Sequence, residues 1–127
     1  MNAKMKNRTK SALLFVLAFA LPAALAGDLN VEQKKQWQSR IEKVCVPLMN
    51  KHKKTNKSLA KKNTTVVCKC IATKHIQHAD DSGSLTVALA HLAWVEDEYR
   101  SPRSYPEDET GNLADVDMQI ATECLAK

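Results

Sequence analysis

The stretch VVCKCIATKHIQH, residues 66–78, carries two cysteines one residue apart and two histidines soon after them. We interpret it as part of a helix whose cap is Asn63 or Thr64, because short polar side chains satisfy the free amides of a first turn. Residues two apart on an α-helix differ by about 200°. Cys68 and Cys70 therefore point to nearly opposite sides, and each needs a different disulfide partner.

The two other cysteines, Cys45 and Cys124, lie on the apolar stripes of the first and last predicted helices. Two pairings are open: Cys45 with Cys68 and Cys70 with Cys124, or Cys45 with Cys70 and Cys68 with Cys124. We favour the first pairing because it joins neighbouring helices through the shorter loop. Disulfides that close such loops contribute about 3 to 4 kcal/mol each, if they act by restricting the unfolded chain.

A metal site is an alternative interpretation of the same stretch. Thiolates of Cys68 and Cys70 with imidazoles of His75 and His78 would suit copper or zinc. The spacing is poor, since structural zinc sites usually place the two cysteines two to four residues apart, and disulfide formation competes for the thiolates. We therefore expect no bound metal or other cofactor. The three histidines of the middle helices, which include His91, are predicted to lie on helix surfaces or at their boundaries.

Residues 1–26 are typical of a signal peptide. Four basic residues precede an apolar run at 11–21, which is short against the roughly 20 residues that span a bilayer. Ala-Leu-Ala at 24–26 then supplies a cleavage site before Gly27. We expect an exported protein, periplasmic in a Gram-negative cell and otherwise secreted, with a single disulfide-stabilised helical domain at 27–127 and no membrane span.

The charge balance excludes one class of partner. Removing the four basic residues of the leader lowers the net charge from +5 to +1, with 15 Lys and Arg against 14 Asp and Glu, so we expect no nucleic-acid partner. Residues 27–75 hold 12 basic against 3 acidic residues, and 76–127 hold 3 against 11. The two halves either attract each other in the fold or form a polarised surface that steers a charged partner.

The sequence pattern predicts four helices and no strand. Asn30 can cap the first helix, whose apolar stripe is Trp37, Ile41, Val44, Cys45 and Leu48. Pro47 has no amide hydrogen, so this helix should kink or restart there. Residues 50–63 contain six lysines and almost no large apolar side chain, which favours a solvated connection.

The second helix should end near Ala79, and the third should span Leu85–Arg100 after a serine cap. Residues 101–112 contain two prolines and a glycine, which predicts a long loop with the last helix starting near Asn112. Its apolar stripe is Leu113, Val116, Ile120 and Cys124. The predicted fold class is all-α, a small bundle of about four helices stapled by two disulfides after a cleaved signal peptide.

No catalytic motif stands out, so an enzyme is the weaker class. We expect a small exported binding protein of the bacterial cell envelope that acts by protein-protein contact, as an inhibitor or immunity-type protein. In its helical, disulfide-stapled plan the chain resembles small helical periplasmic proteins, which include immunity proteins and acid-stress chaperones. An acid-stress or periplasmic chaperone is therefore an alternative function. The oligomeric state is open.

An inhibitor of this kind would present an acidic surface to a basic cleft on its target. The end of the third helix and the loop after it supply acidic residues and two tyrosines. The predicted partner-binding residues are Glu96, Asp97, Glu98, Tyr99, Tyr105, Glu107, Asp108 and Glu109.

Overall fold

The structure is a computed structural model that describes residues 29–102 and 107–127, with the side chains of 107–111 left undescribed. Within those ranges the chain forms five helices, and the all-α prediction is confirmed. The helices are α1 (Val31–Lys53), α2 (Lys57–Ala60), α3 (Thr64–Asp80), α4 (Leu85–Arg100) and α5 (Glu107–Leu125). The predicted signal peptide and its cleavage site lie outside the described residues.

The first helix begins at a capping box. The Asn30 side-chain oxygen accepts from the Gln33 amide at 2.7 Å, and the Gln33 side chain accepts from the Asn30 amide at 2.9 Å. α1 continues through Pro47 to Lys53, so the prediction that the helix restarts at the proline is wrong. Pro47 is exposed, and the Lys43 carbonyl that loses its amide partner can be hydrated.

The lysine-rich connection is exposed or half-buried throughout, as expected of a solvated segment. It contains α2, a single turn capped by Asn56 with no buried residue. Lys53 holds the end of this connection, because its Nζ donates to the Lys62 carbonyl at 2.8 Å and to Thr64 Oγ1 at 3.1 Å. The route from α1 to α3 is therefore fixed by polar contacts rather than by apolar packing.

The middle helices match the predicted bounds closely. Asn63 caps α3 by accepting from the Val66 amide at 3.1 Å, and Ser84 caps α4 by accepting from the Val87 amide at 3.3 Å. Between the two helices Gly83 has a φ of 77°, a conformation that glycine adopts without steric cost.

The last helix starts earlier than predicted. α5 begins at Glu107, so residues 107–111 are helical rather than part of a long loop. Glu107, Asp108 and Glu109 fall in its first turn, where the positive end of the helix dipole favours acidic residues. The two prolines and the glycine of residues 101–112 suggested a longer loop, but an acidic first turn stabilises a helix start at Glu107.

Both disulfides form, with the favoured pairing. Cys45 bonds to Cys68 and Cys70 bonds to Cys124. α3 therefore carries both bridges on opposite sides, as the 200° separation predicted. One bridge joins α3 to α1, and the other joins α3 to α5.

The core lies where α1, α3 and α4 pack on one another, while α5 packs on α3. α3 buries seven residues over about half of its circumference and packs against α1, α4 and α5, which makes it the central helix. The buried apolar residues of the described chain are Leu29, Trp37, Ile41, Cys45, Met49, Val67, Cys68, Ile71, Ala72, Ile76, Ala79, Ala88, Leu92, Val95, Tyr99, Ile120 and Cys124. None of the helices in the described ranges is both long and apolar enough to cross a membrane.

Candidate functional site

An open groove of about 540 Å³ lies between α1 and the C-terminal end of α4. We call it the α1–α4 groove. Its volume falls within the range of pockets that hold ligands or partner side chains. The residues that line it are Arg40, Lys43, Val44, Pro47, Leu48, Lys51, Glu96, Tyr99, Arg100 and Pro102.

The helical period of α1 explains why this groove exists. Six of its residues line the groove at successive steps of three, one, three, one and three, from Arg40 to Lys51. This spacing places them on one face. The residues that α1 buries in the core form the stripe directly beside it, and they are Trp37, Ile41, Cys45 and Met49. α1 therefore presents one stripe to the core and the adjacent stripe to the groove.

An ion-pair cluster crosses the groove from α1 to α4. Arg40 Nη2 lies 2.6 Å from Glu96 Oε1, and Arg40 Nε lies 3.0 Å from Glu96 Oε2. Arg100 Nη2 approaches the same carboxylate at 3.2 Å. The hydrogen bond from Arg40, together with both guanidinium charges, holds the pKa of the Glu96 carboxyl below its usual value. The Arg40 guanidinium also stacks 3.9 Å from the centre of the Trp37 ring, which fixes its position at the rim.

The groove has a basic rim and an apolar floor. Its charged lining is one carboxylate, Glu96, against four cations, which are Arg40, Lys43, Lys51 and Arg100. Pro47 is exposed, while Val44 and Leu48 are half-buried and packed against the core. The site can therefore take an apolar group while offering cations to anions that flank it.

Tyr99 connects this groove to a second polar feature. Its ring lines the groove, and its hydroxyl donates to Asp117 Oδ1 on α5 at 2.5 Å. Burial, with the nearby Asp117 carboxylate next in effect, raises the pKa of the Tyr99 hydroxyl above its ordinary range. The hydroxyl therefore stays protonated and acts as a hydrogen-bond donor to the carboxylate.

Two histidines are buried in contact with each other, contrary to the prediction that they lie on helix surfaces or at their boundaries. His75 on α3 is 0 % exposed and His91 on α4 is 4 % exposed. His75 Nδ1 lies 2.9 Å from His91 Nε2, and His75 Nε2 lies 2.8 Å from Asp117 Oδ1. Hydrogen bonds compensate the burial of both rings. We call His75, His91, Asp117 and Tyr99 the histidine cluster.

The third histidine is exposed, as predicted. The His78 ring lies 5.4 Å from that of His91, centre to centre. The copper or zinc alternative loses its thiolates, because Cys68 and Cys70 are both in disulfides. In the ranges that the structure describes, no group of three or more His, Cys, Asp or Glu residues could hold a metal ion.

Of the predicted contact residues, the four whose side chains the structure describes do not share one exposed face. Glu96 is tied into the arginine pairs of the groove and Tyr99 is buried, while Asp97 is exposed and Glu98 is half-buried. Tyr105 lies outside the described residues, as do the side chains of Glu107, Asp108 and Glu109. A partner-binding role for these residues stays a prediction.

Comparisons with known proteins identify no relative: the chain matches no protein-family model, no curated protein and no solved structure. Its candidate sites are therefore interpreted from geometry alone. Sequence reasoning missed the basic groove and the buried histidines. His75 lies four residues after Ile71 on α3, so it falls on the apolar stripe of the helix. That spacing was the signal in the sequence that His75 is buried.

Proposed function

We propose that this chain is an exported binding protein of the cell envelope that acts by protein-protein contact, as an inhibitor or immunity-type protein, and that the α1–α4 groove is its contact surface. The occupant is a segment of a partner protein that carries apolar side chains flanked by Asp or Glu. The single observation that carries the proposal is the apolar floor of Val44, Pro47 and Leu48 beneath a rim of cations. Two disulfides in so short a chain support an oxidising compartment.

Charge complementarity selects the occupant. Four cations and one carboxylate line the groove, which leaves a positive excess that attracts an acidic segment and disfavours a basic one. The excess lies next to the lysine-rich connection after α1, which extends the positive field beyond the groove. This polarity is opposite to that of the acidic contact surface expected from the sequence.

Rigidity supports the same proposal. The groove wall on α1 is backed by the Cys45–Cys68 bridge, and Arg40 is already held between Glu96 and the Trp37 ring. A wall that is ordered before binding reduces the entropy lost on association. A small, stapled domain of this kind is suited to capture by surface complementarity.

A peptide-display selection against the oxidised protein tests the proposal. We expect the enriched peptides to combine apolar residues with Asp or Glu. The variant K43E/K51E reverses two rim charges and should bind the selected peptides with an affinity at least about tenfold lower. Raising the salt concentration should lower the affinity of the wild type for these peptides, because salt screens exposed charge pairs.

The matched control is K35E/K69E, which makes the same change of charge at two exposed lysines that neither line the groove nor belong to the lysine-rich connection. It should retain most of the affinity. Enrichment of basic peptides, no enrichment at all, or equal losses in the two variants would each count against the groove as the contact surface.

A further inference from the structure

The lysine-rich connection, residues 50–63, concentrates positive charge between the end of α1 and the start of α3. It contains six lysines and no acidic residue, and the longer stretch 43–79 contains nine lysines and no acidic residue either. The exposed lysines of the connection are Lys51, Lys54, Lys57 and Lys61. In the part of the chain whose side chains the structure describes, none of these four pairs with a carboxylate. Their charge is therefore not neutralised within the described fold.

The backbone of the connection is held in place although these side chains are exposed. The Lys53 ammonium donates to the Lys62 carbonyl at 2.8 Å, and the Thr64 hydroxyl donates to Asn50 Oδ1 at 3.0 Å. The single turn of α2 is capped by Asn56, whose side-chain oxygen accepts from a backbone amide at 3.0 Å. The exposed lysines therefore project from a backbone that is ordered before a partner binds, which reduces the entropy lost on binding.

Helix stability accounts for some of these lysines but not for others. Lys51 lies in the last turn of α1, where the negative end of the helix dipole favours a cation. Lys57 is the first residue of α2, and Lys61 lies two residues before Asn63, the cap of α3. The positive ends of these two helices disfavour cations, and neither first turn contains an acidic residue that would offset them. A charged partner explains Lys57 and Lys61 better than the stability of the fold does.

The residue types of the connection indicate a partner with diffuse negative charge. The connection has no arginine, whose planar guanidinium would bind a single phosphate or carboxylate through two parallel hydrogen bonds. It has no Phe, Trp or Tyr on which nucleic-acid bases could stack. Its large apolar side chain, Leu59, is half-buried rather than exposed. Lysines alone, without aromatic or exposed apolar neighbours, suit contact with the charged headgroups at the surface of a bilayer.

We propose that the lysine-rich connection is a docking surface for an anionic lipid bilayer, which the protein contacts through Lys51, Lys54, Lys57 and Lys61 without inserting into it. Each lysine close to such a surface raises the affinity by about fivefold. This contact does not depend on peptide binding at the α1–α4 groove, although Lys51 belongs to both surfaces. Docking through the connection would hold the groove next to the membrane.

Co-sedimentation of the oxidised protein with lipid vesicles tests the proposal. The probes are vesicles of phosphatidylcholine alone and vesicles in which about one third of the lipid is phosphatidylglycerol. We expect the protein to bind the anionic vesicles about tenfold more tightly or better, and to dissociate as the salt concentration rises.

The variant K57E/K61E should lower the affinity for the anionic vesicles by about tenfold or more. Its thermal unfolding should be unchanged or shifted slightly upward, because acidic residues suit the starts of α2 and α3. The matched control is K35E/K69E, which makes the same change of charge at two exposed lysines outside the connection and should retain most of the affinity. Residues 1–28 are the same in all variants, so they cannot cause a difference between them.

Equal binding to the two kinds of vesicle, no binding to the anionic vesicles, or equal losses in the two double variants would each overturn the proposal. A clear loss of thermal stability in K57E/K61E would overturn it as well, because the two lysines would then be structural. A DNA duplex provides the competing polyanion. If it binds more tightly than the anionic vesicles at the same salt and phosphate concentrations, and K57E/K61E loses that binding, the connection binds nucleic acid and the proposal is wrong.

Discussion

The two sides of α3 are held together by different kinds of interaction. On the side of α1 and α4 most of the buried residues are apolar, and Ile41, Leu92 and Val95 are each 0 % exposed, although the buried His75–His91 contact also lies between α3 and α4. On the side of α5 the described part of the interface has Ile120, the Cys70–Cys124 bridge and the Asp117 hydrogen bonds. The first side is held mainly by buried apolar residues, whereas the second has fewer of them and relies more on a disulfide and on polar contacts.

This difference shows how a short chain distributes its stability. A domain of this size buries too little apolar surface to enclose every helix equally well. The chain concentrates its large apolar residues between three helices. The fourth long helix is attached by few buried apolar residues, one disulfide and polar contacts that include the Lys74–Glu123 ion pair. Among the long helices of the described fold, α5 is therefore the one that we expect to open most readily.

The largest expected effects come from removing each disulfide in turn. The double variant C45A/C68A removes a bridge whose two cysteines are both 0 % exposed, so it loses the loop constraint and leaves a gap in the core. We expect a loss of about 3 to 5 kcal/mol and cooperative unfolding of all helices. C70A/C124A should instead loosen α5 while α1, α3 and α4 stay folded.

Chemical denaturation followed by circular dichroism, with hydrogen exchange for each helix, distinguishes the two variants. A single, identical transition in both would mean that the two bridges stabilise one indivisible unit. That outcome would remove the distinction between the two sides of α3.

Truncating one apolar side chain on each side of α3 should give the next largest effect on the free energy of unfolding. Leu92→Ala deletes a fully buried side chain between α1, α3 and α4, and we expect a loss of about 3 to 5 kcal/mol in the free energy of unfolding. Ile120→Ala on α5 should cost about 2 kcal/mol, because the surroundings can collapse onto the gap. Equal losses measured by urea titration would contradict the difference in packing.

Tyr99→Phe removes the hydroxyl that donates to Asp117 and keeps the ring that lines the groove. We expect the free energy of unfolding to fall by about 1 to 2 kcal/mol. This is the range for a hydrogen bond to a charged group, reduced because the carboxylate is partly exposed. The loss should appear as faster exchange in α5 rather than in α1. Peptide affinity at the groove should change little, and a large drop would show that the hydroxyl also acts there.

The smallest expected effect on stability is that of Arg40→Ala. The variant loses the ion pair with Glu96 and the contact with the Trp37 ring. Because half of the Arg40 side chain is exposed, solvent screens both interactions, and together they should contribute about 1 kcal/mol or less to stability. Thermal unfolding should therefore shift by only a few degrees. A much larger shift would make Arg40 a structural residue rather than part of a binding rim.

The features that sequence reasoning predicted are local ones. The capping residues Asn30, Asn63 and Ser84 are recognisable because each cap involves only a few consecutive residues. The disulfide pairing was narrowed to two choices by the geometry of one helix, which fixes the directions of Cys68 and Cys70. The bounds of α4 followed from its helical spacing and its serine cap.

The features that sequence reasoning missed depend on which helices meet. His75 and His91 are 16 residues apart, and nothing in their spacing shows that their rings touch. The groove needs the Arg40 stripe of α1 to face the end of α4, which is a property of helix packing. Glu96 looked like part of an acidic surface because Arg40, which makes two of its hydrogen bonds, lies 56 residues away in the sequence.

Native-state hydrogen exchange at neutral pH under increasing denaturant tests the central claim most directly, because it measures the opening free energy of each helix separately. We expect the α5 amides to exchange through a partial opening of lower free energy, while α1, α3 and α4 exchange together through global unfolding. If the amides of all four helices converge on one opening free energy at every denaturant concentration, the two sides of α3 are not held differently and the account is wrong.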